Sequence, residues 1–265
     1  MHPLVQTRLD RLPETASVLD CGGWFKPLDR ATHVVDLMPY ETRRYRVQTD
    51  PLPGERFRRE TWFQVDFLSP DFRLPFADRT FDFAYCSHTL EDLSSPFRLL
   101  QELARVSRSG VLATPSRLSE QTAGSRDRMS NRLGHPHHHW FIDTHEGRPR
   151  FSAKSASVEG SWWRTSLPLR LAEKIQRHDA DAVERVFFWE DKLEWEITPD
   201  AETGPLARAF ASATGATLTG RLTDLIHRSL RRLKYLRRPT DEAITRRSWA
   251  KIVELSRPYS PIPLG

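Results

Sequence analysis

The chain has 265 residues, of which 38% are hydrophobic and 28% charged, and its formal net charge is +5. This composition is that of an ordinary soluble protein, long enough for one large α/β domain or for a domain with an extension. No apolar run reaches the roughly 20 residues that span a bilayer, and the charged N-terminal segment lacks the apolar core of a secretion signal, so we expect a cytoplasmic protein without a transmembrane segment.

Short apolar runs at 17–20, 32–36 and 62–66 each end in an aspartate, and connectors of helix length or longer separate them. This arrangement is typical of repeated βα units rather than of hairpins. Further strands are predicted at 81–85 and 111–114, with a helix that opens between them at a Ser-Pro pair. The carboxyl ends of such parallel strands form the crevice in which these sheets bind nucleotides.

The second half of the chain is less regular. Residues 117–165 lose periodicity and gain Arg, Ser, His and Gly, which predicts a long functional loop. Helical spacing returns at 167–178. Two apolar runs at 183–189 and 193–198, joined by a short polar turn, predict an antiparallel hairpin.

The positive charge is concentrated near the C-terminus. From Ala201 onward there are 12 Lys and Arg residues against 5 Asp and Glu residues, a balance of +7, whereas the first 200 residues hold 28 and 30, a balance of −2. Within this part, residues 221–238 have the pattern of an amphipathic, strongly basic helix. We therefore predict a domain over 1–200 and a basic helical extension over 201–265. The basic helix is either a solvated face or a contact for nucleic acid or an anionic surface.

The turn after the first predicted strand reads Asp20-Cys21-Gly22-Gly23. Glycines between a strand and a helix let the backbone approach a cofactor closely. Asp36 lies sixteen residues beyond Asp20, at the end of the second predicted strand, where an acid can accept hydrogen bonds from both ribose hydroxyls. NAD-dependent oxidoreductases share this arrangement, so these residues alone do not choose between cofactors.

A longer motif at residues 74–91 is more specific. It reads Leu-Pro-Phe, a short polar turn and Phe-Asp entering the fourth strand, followed by Ser87, His88 and Glu91. With this order and spacing, and with the preceding turn, the chain resembles the class I S-adenosylmethionine-dependent methyltransferases. The likeness is to their small-molecule branch, methyltransferase type 11, and it covers about residues 17–115.

The resemblance implies a Rossmann-like α/β fold with a seven-stranded, mostly parallel sheet and a terminal antiparallel hairpin, and S-adenosylmethionine as cofactor. It also implies that Asp66 meets the adenine amino group while Phe67 packs on the ring. The chain departs from the family pattern at Trp24, where a later glycine is expected, and at Asp92, where members often have a second histidine. The residues that the resemblance assigns to the cofactor are Asp20, Cys21, Gly22, Gly23, Asp36, Leu37, Asp66, Phe67, Cys86 and Ser87.

Methyl transfer to an oxygen needs a general base, for which histidine suits neutral pH. The candidates are His88, at the carboxyl end of the fourth strand, and His137 and His139, which would point the same way on an extended segment. The last two belong to residues 135–145, which hold five of the ten histidines. The same geometry would allow a metal, but no cysteine and only Asp143 lie nearby to complete a ligand set, so we predict none. Acceptor contact and a solvated polar loop both stay open for this cluster.

The predicted function is S-adenosylmethionine-dependent methyl transfer to a small metabolite or glycan-type acceptor, at oxygen. One alternative is a non-catalytic methyltransferase-like scaffold, in which Trp24 fills the cofactor pocket. Another is an enzyme that uses the basic tail to reach a nucleic-acid or anionic-lipid-linked substrate. An NAD-dependent oxidoreductase is supported only by the glycine turn and Asp36.

The two cysteines cannot form a disulfide framework. Cys21 and Cys86 fall at the predicted ends of strands that are neighbours in the family's strand order. We expect buried, reduced thiols that behave as small apolar side chains. A redox pair is the alternative.

Overall fold

The structure is a computed structural model that describes residues 1–45, 47, 49–69, 71–123, 133–235 and 254. They form two compact units. The first, here called the sheet unit, contains Leu9–Leu112 and Phe188–Leu193, and the second, the histidine unit, contains Met1–Arg8, Ala113–Phe187 and 194–235. None of the helices within these residues combines the length and the apolar character needed to cross a membrane.

The described residues form nine strands and eight α-helices. The strands are β1 (Val18–Cys21), β2 (His33–Asp36), β3 (Trp62–Gln64), β4 (Phe83–Ser87), β5 (Ser109–Pro115), β6 (Trp140–His145), β7 (Arg148–Ala153), β8 (Glu184–Glu190) and β9 (Glu196–Ile197). The helices are α1 (Pro3–Asp10), α2 (Phe97–Val106), α3 (Arg117–Glu120), α4 (Ala156–Gly160), α5 (Trp162–Thr165), α6 (Leu169–Gln176), α7 (Asp200–Ala213) and α8 (Leu218–Tyr235).

A six-stranded sheet has the order β3-β2-β1-β4-β5-β8. β1 pairs in parallel with β2 and β4, and β2 pairs in parallel with β3. Every residue of β1 is buried, as expected for a parallel strand covered on both faces. The prediction of an α/β fold with a parallel sheet is confirmed. The third strand is shorter than expected, since it ends at Gln64 and leaves Asp66 beyond it.

The predicted terminal hairpin is not formed. Its first half is β8, but its second half contains β9, which pairs in parallel with β7 instead. There the Thr198 N–H donates to the Phe151 carbonyl (N–O 2.7 Å), and the Phe151 ring is fully buried. β9 thus pairs with β7 in the histidine unit and not with β8. The six-stranded sheet therefore lacks the predicted seventh strand among the described residues.

Residues 117–165 contain regular structure where a long loop was predicted. β6 and β7 form an antiparallel pair in which Ile142 faces Phe151. The residues that join them, Glu146 and Gly147, have φ angles of +49° and +77°, as in the two-residue turns that match the twist of a hairpin. Residues 124–132 of this segment lie outside the described part, and its role as a substrate lid stays a prediction.

The basic helix predicted at 221–238 is present within α8, which begins at Leu218, and α7 precedes it with Pro205 inside the helix. Of the basic side chains expected on the last helix, Arg237 and Arg238 lie outside the described residues. The division of the chain into a domain over 1–200 and an extension over 201–265 stays a prediction.

Candidate cofactor and acceptor site

The glycine turn follows β1 at the carboxyl edge of the sheet. Gly22 has a φ of +82°, and its N–H donates to the Val35 carbonyl in β2 (N–O 2.9 Å). A Cβ at Gly22 would lie 1.9 Å from Thr89 Oγ1, and a Cβ at Gly23 would lie 2.5 Å from Asp20 Oδ2. The chain's own packing therefore requires glycine at both positions.

Asp20 is a structural carboxyl group beneath this turn. Its side chain is buried, and Oδ2 accepts a hydrogen bond from the Leu28 N–H (2.7 Å). Burial raises the pKa of Asp20 to about 7, although the Leu28 hydrogen bond opposes the shift. Asp20 therefore stabilises the turn from within and presents no open carboxylate to a ligand.

Asp36 is the last residue of the neighbouring strand β2, and both of its carboxylate oxygens accept backbone hydrogen bonds. Oδ2 accepts the Trp24 N–H (2.9 Å) and Oδ1 accepts the Met38 N–H (2.8 Å). Burial raises its pKa to about 6, opposed by the hydrogen bonds from Met38, Trp24 and Leu37. An ionised carboxylate offers about four acceptor positions, so beside its three backbone donors the group keeps one position for a further donor.

Trp24 stands where a later glycine was expected. Its indole Nε1 donates to the Thr42 carbonyl (2.8 Å) and lies 3.0 Å from Thr42 Oγ1. Thr42 is fully buried in the short 3-10 segment Tyr40–Tyr45. The departure from the family pattern thus ties the glycine turn to the segment that follows β2.

The remaining positions assigned to the cofactor also lie in the sheet unit. Asp66 is half-buried and accepts the Leu68 N–H (Oδ1–N 2.9 Å), whereas Phe67 is buried with its ring centroid 5.7 Å from that of Phe72. The structure brings all ten assigned positions to the sheet unit, but their contacts with a cofactor stay predictions: Asp20, Cys21, Gly22, Gly23, Asp36, Leu37, Asp66, Phe67, Cys86 and Ser87.

The two cysteines face each other in register across β1 and β4. Both Cys21 and Cys86 are buried and free. Burial raises the pKa of the Cys21 thiol well above its ordinary range, and the contact with Cys86 adds to the shift. A thiol held in its protonated form is unreactive, which agrees with the expected apolar role.

His88 lies directly after β4 and forms a pair with Glu91. The distance between His88 Nδ1 and Glu91 Oε1 is 3.3 Å, and the histidine side chain is 50% exposed while that of the glutamate is 1% exposed. Neither carboxylate oxygen of Glu91 has a hydrogen-bond partner among the described residues. His88 also adopts a φ of +51°, which is uncommon for a residue with a side chain and is often found at functional sites.

Glu91 is a residue whose role sequence reasoning missed. It was noted only as part of the motif, although its spacing from His88 is the signal that could have found it. The two positions are three apart in the bend and turn that follow β4, which is near enough for their side chains to meet. A carboxylate at one ring nitrogen of a histidine sets which nitrogen carries the proton.

The other candidate histidines belong to the histidine unit. His137 and His139 are exposed, whereas His138 is buried and lies with Nδ1 2.7 Å from Glu120 Oε1. The second carboxylate oxygen of Glu120 accepts from Lys154 Nζ (2.9 Å). We call the set of Glu120, Lys154, His138 and His135 the Glu120 cluster. The roles of His137 and His139 as bases stay predictions.

The Glu120 cluster carries its own positive charge. Donor atoms of Glu120, His135 and His138 lie within 4.8 Å of one another, as metal ligands do. However, Lys154 Nζ donates to Glu120 and to the Leu133 and His135 carbonyls (2.9, 2.7 and 2.9 Å). Its ammonium group compensates the charge of the buried carboxylate, and the absence of a metal stays a prediction.

Glu120 was not foreseen from the sequence. Its pKa is held well below its usual range by hydrogen bonds from His135 and His138 and by the Lys154 charge, against the effect of burial. Asp143, the carboxylate expected near the histidines, instead pairs with Arg117 (Oδ2–Nε 2.9 Å). No local pattern connects Glu120 with histidines 15 to 18 residues later, because the contact is tertiary.

Comparison with known proteins covers the candidate site from β2 onward but not the glycine turn. Residues 26–114 match a family model described as a methyltransferase domain. This segment is a methyltransferase domain. It contains Asp36, Asp66 and His88, so the predicted family is confirmed over this range.

Solved structures similar to the chain come from several bacteria, and no curated protein matches it. An S-adenosylmethionine-dependent methyltransferase from Mesorhizobium loti is 20% identical over 57% of this chain and 62% of its own, with a TM-score of 0.33. A putative methyltransferase from Bacillus halodurans is 17% identical over 42% and 49%, with a TM-score of 0.32. A possible histamine N-methyltransferase from Thermotoga maritima is 19% identical over 46% and 54%, with a TM-score of 0.31. The chain thus spans less than two-thirds of each of these structures.

Class I methyltransferases use S-adenosylmethionine as the methyl donor, and the residues of this methyltransferase domain fit that group. The remaining acceptor position of Asp36 suits a ribose hydroxyl. The bare backbone of Gly22 sits beside it at the edge of the sheet. The residues that would hold the cofactor are therefore those at the ends of β1, β2 and β4.

Proposed function

We propose that this chain transfers a methyl group from S-adenosylmethionine to an oxygen of a small metabolite or glycan-type acceptor, with His88 as the general base. The observation that carries the proposal is the pairing of His88 with the buried Glu91 at the carboxyl end of β4. The glycine turn and Asp36 lie in the same unit, at the same edge of the sheet. A methyl-donor site and a positioned base are what methylation of a hydroxyl requires.

Each residue of the pair has a distinct task. The 3.3 Å contact between His88 Nδ1 and Glu91 Oε1 would tighten when an acceptor binds, so that Glu91 accepts a hydrogen bond from Nδ1–H and Nε2 of His88 keeps the lone pair. The histidine side chain is half exposed, which would let Nε2 reach a hydroxyl group of the acceptor. The cofactor supplies the activated methyl group when it is bound. His88 Nε2 takes the hydroxyl proton as the oxygen attacks, and the Glu91 carboxylate stabilises the resulting imidazolium.

The test separates binding from chemistry. S-adenosylmethionine labelled in its methyl group is incubated with the protein and with libraries of hydroxylated metabolites and glycans, and methylated products are identified by mass spectrometry. For the acceptor found, His88→Ala should lower kcat by about a hundredfold or more, while the Kd for S-adenosylhomocysteine changes less than about twofold. A variant that keeps its kcat, or a product methylated at nitrogen or carbon, would contradict the proposal.

A second candidate is a non-catalytic methyltransferase-like binding protein. The observation that favours it is Trp24, whose indole is fixed to Thr42 beside Asp36. Calorimetric titration with S-adenosylhomocysteine distinguishes the two candidates. Heat of binding by the native chain supports the enzyme, whereas binding by a folded Trp24→Gly variant alone supports the scaffold.

A further inference from the structure

The polar side of helix α8 packs against α5 and α6 within the histidine unit. Asp224 and Arg228 are buried, and Asp224 Oδ1 accepts the backbone N–H of Arg170 in α6 (3.2 Å). Arg228 Nε lies 3.2 Å from Asp224 Oδ2. Arg221 donates to two carbonyls at α5, one of them that of Arg164 (Nη2–O 3.0 Å). The contacts that attach α8 are therefore hydrogen bonds and ion pairs.

The apolar side of α8 faces outward. Its members share one face because their spacing follows the helical repeat, and they are between 44% and 66% exposed. They are Leu218, Leu222, Leu225, Ile226 and Leu230, and we call them the apolar stripe. A surface helix ordinarily buries such a stripe and exposes its charges, so α8 is inverted. Large exposed apolar patches mark interaction sites.

The chemistry of the helix indicates what covers the stripe. We propose that the apolar stripe of α8 docks on an anionic membrane surface. The chain from Ala201 onward has a balance of +7, and this positive charge favours an anionic partner. An exposed apolar helix face in a strongly basic segment is the combination that binds helices in the plane of anionic bilayers.

The dimensions of the stripe agree with a surface contact. From Leu218 to Leu230 it extends about 18 Å at 1.5 Å per residue, which is shorter than the roughly 30 Å hydrocarbon core. Its side chains spread over about 140° of the helix circumference, wider than the narrow seam of a coiled coil. Trp163, whose carbonyl accepts from Arg221, is also exposed, and tryptophan is enriched at membrane interfaces. A helix lying on the bilayer therefore fits better than a helix paired with a second copy.

Vesicle co-sedimentation of the full chain tests this proposal, which is independent of the proposed methyl transfer. Vesicles of phosphatidylcholine with about 30% phosphatidylserine are compared with vesicles of phosphatidylcholine alone. We expect binding to the mixed vesicles that weakens with added NaCl, and at least about tenfold weaker binding of Leu222→Asp/Ile226→Asp. The matched control Leu4→Asp/Val183→Asp places the same charges at exposed apolar positions elsewhere and should bind like the native chain.

Outcomes that overturn the proposal are also defined. The proposal fails if the native chain does not bind the mixed vesicles, or if both double variants lose binding equally. It also fails if light scattering shows a dimer that Leu222→Asp/Ile226→Asp dissociates while vesicle binding is unaffected. The uncharged variant Leu222→Asn/Ile226→Asn, checked for folding by circular dichroism, should weaken binding too, because it removes apolar contact without adding repulsion.

Discussion

Replacing Asp20 by asparagine is expected to make the protein more stable, and more so as the pH rises. The native carboxyl group is 1% exposed, and burial raises its pKa from 3.8 to about 7. The folded chain thus holds this proton more tightly than the unfolded chain. Its contribution to stability is complete below about pH 4 and is lost as the pH rises through 7. Asparagine resembles the protonated form and does not titrate.

The size of the effect follows from the same pKa. Between pH 5 and about pH 7 the free energy of unfolding of the native chain falls by about 1.36 kcal/mol per pH unit relative to a chain without this group. The stability difference between Asp20→Asn and the native chain should therefore grow by about 3 kcal/mol. The comparison of two pH values cancels any constant cost of burying the amide. Urea unfolding at pH 5 and pH 8, followed by circular dichroism, measures it. The exposed Asp71 provides the control Asp71→Asn. Parallel pH dependences for Asp20→Asn and the native chain would refute a buried, proton-holding carboxyl group beneath the turn.

Three further predictions concern the turn, the Glu120 cluster and the cofactor. Gly22→Ala should lower the free energy of unfolding by about 2 kcal/mol or more, since its Cβ would collide with Thr89. The control Gly54→Ala has a similar φ and open space around the Cβ, so it should cost only about 1 kcal/mol. Thermal unfolding measures both variants. Lys154→Met should cost about 3 kcal/mol at pH 7, because it leaves a buried carboxylate uncompensated; an unchanged melting temperature would exclude that role. Calorimetry should show S-adenosylhomocysteine binding about tenfold more tightly at pH 7 than at pH 5, since Asp36, with a pKa of about 6, is the better hydrogen-bond acceptor for the ribose when it is ionised; equal affinities would argue against it.

The sheet unit was largely predictable because its signals are local. Asp20 and Asp36 are found at the strand ends where the alternation of apolar runs and acids placed them. The neighbouring positions of Cys21 and Cys86 followed from the family's strand order and are found in register. Parallel strands buried on both faces leave a continuous apolar run in the sequence, which is easily read.

Predictions for the histidine unit were less accurate for a definite reason. The turn at Glu146 and Gly147 resembles the short turns that favour hairpins, but the histidines and arginines around it obscured the alternation of β6 and β7. The pairing of β9 with β7 could not be inferred, because a two-residue strand carries little sequence pattern. In the structure Ile197 of β9 lies opposite the buried Phe151 of β7. Pairing of this kind depends on contacts between distant residues.

By itself, the sequence determined the strand polarity, the glycine turn beside Asp36 and the amphipathic period of α8. Only the tertiary structure decided that Glu91 lies buried against His88, that Lys154 compensates Glu120, and that α8 turns its apolar stripe outward. For Lys154 and for α8 the physical reason is the same. Periodicity records which side chains share a face, but the neighbour that covers or charges that face is supplied by residues far away in the chain.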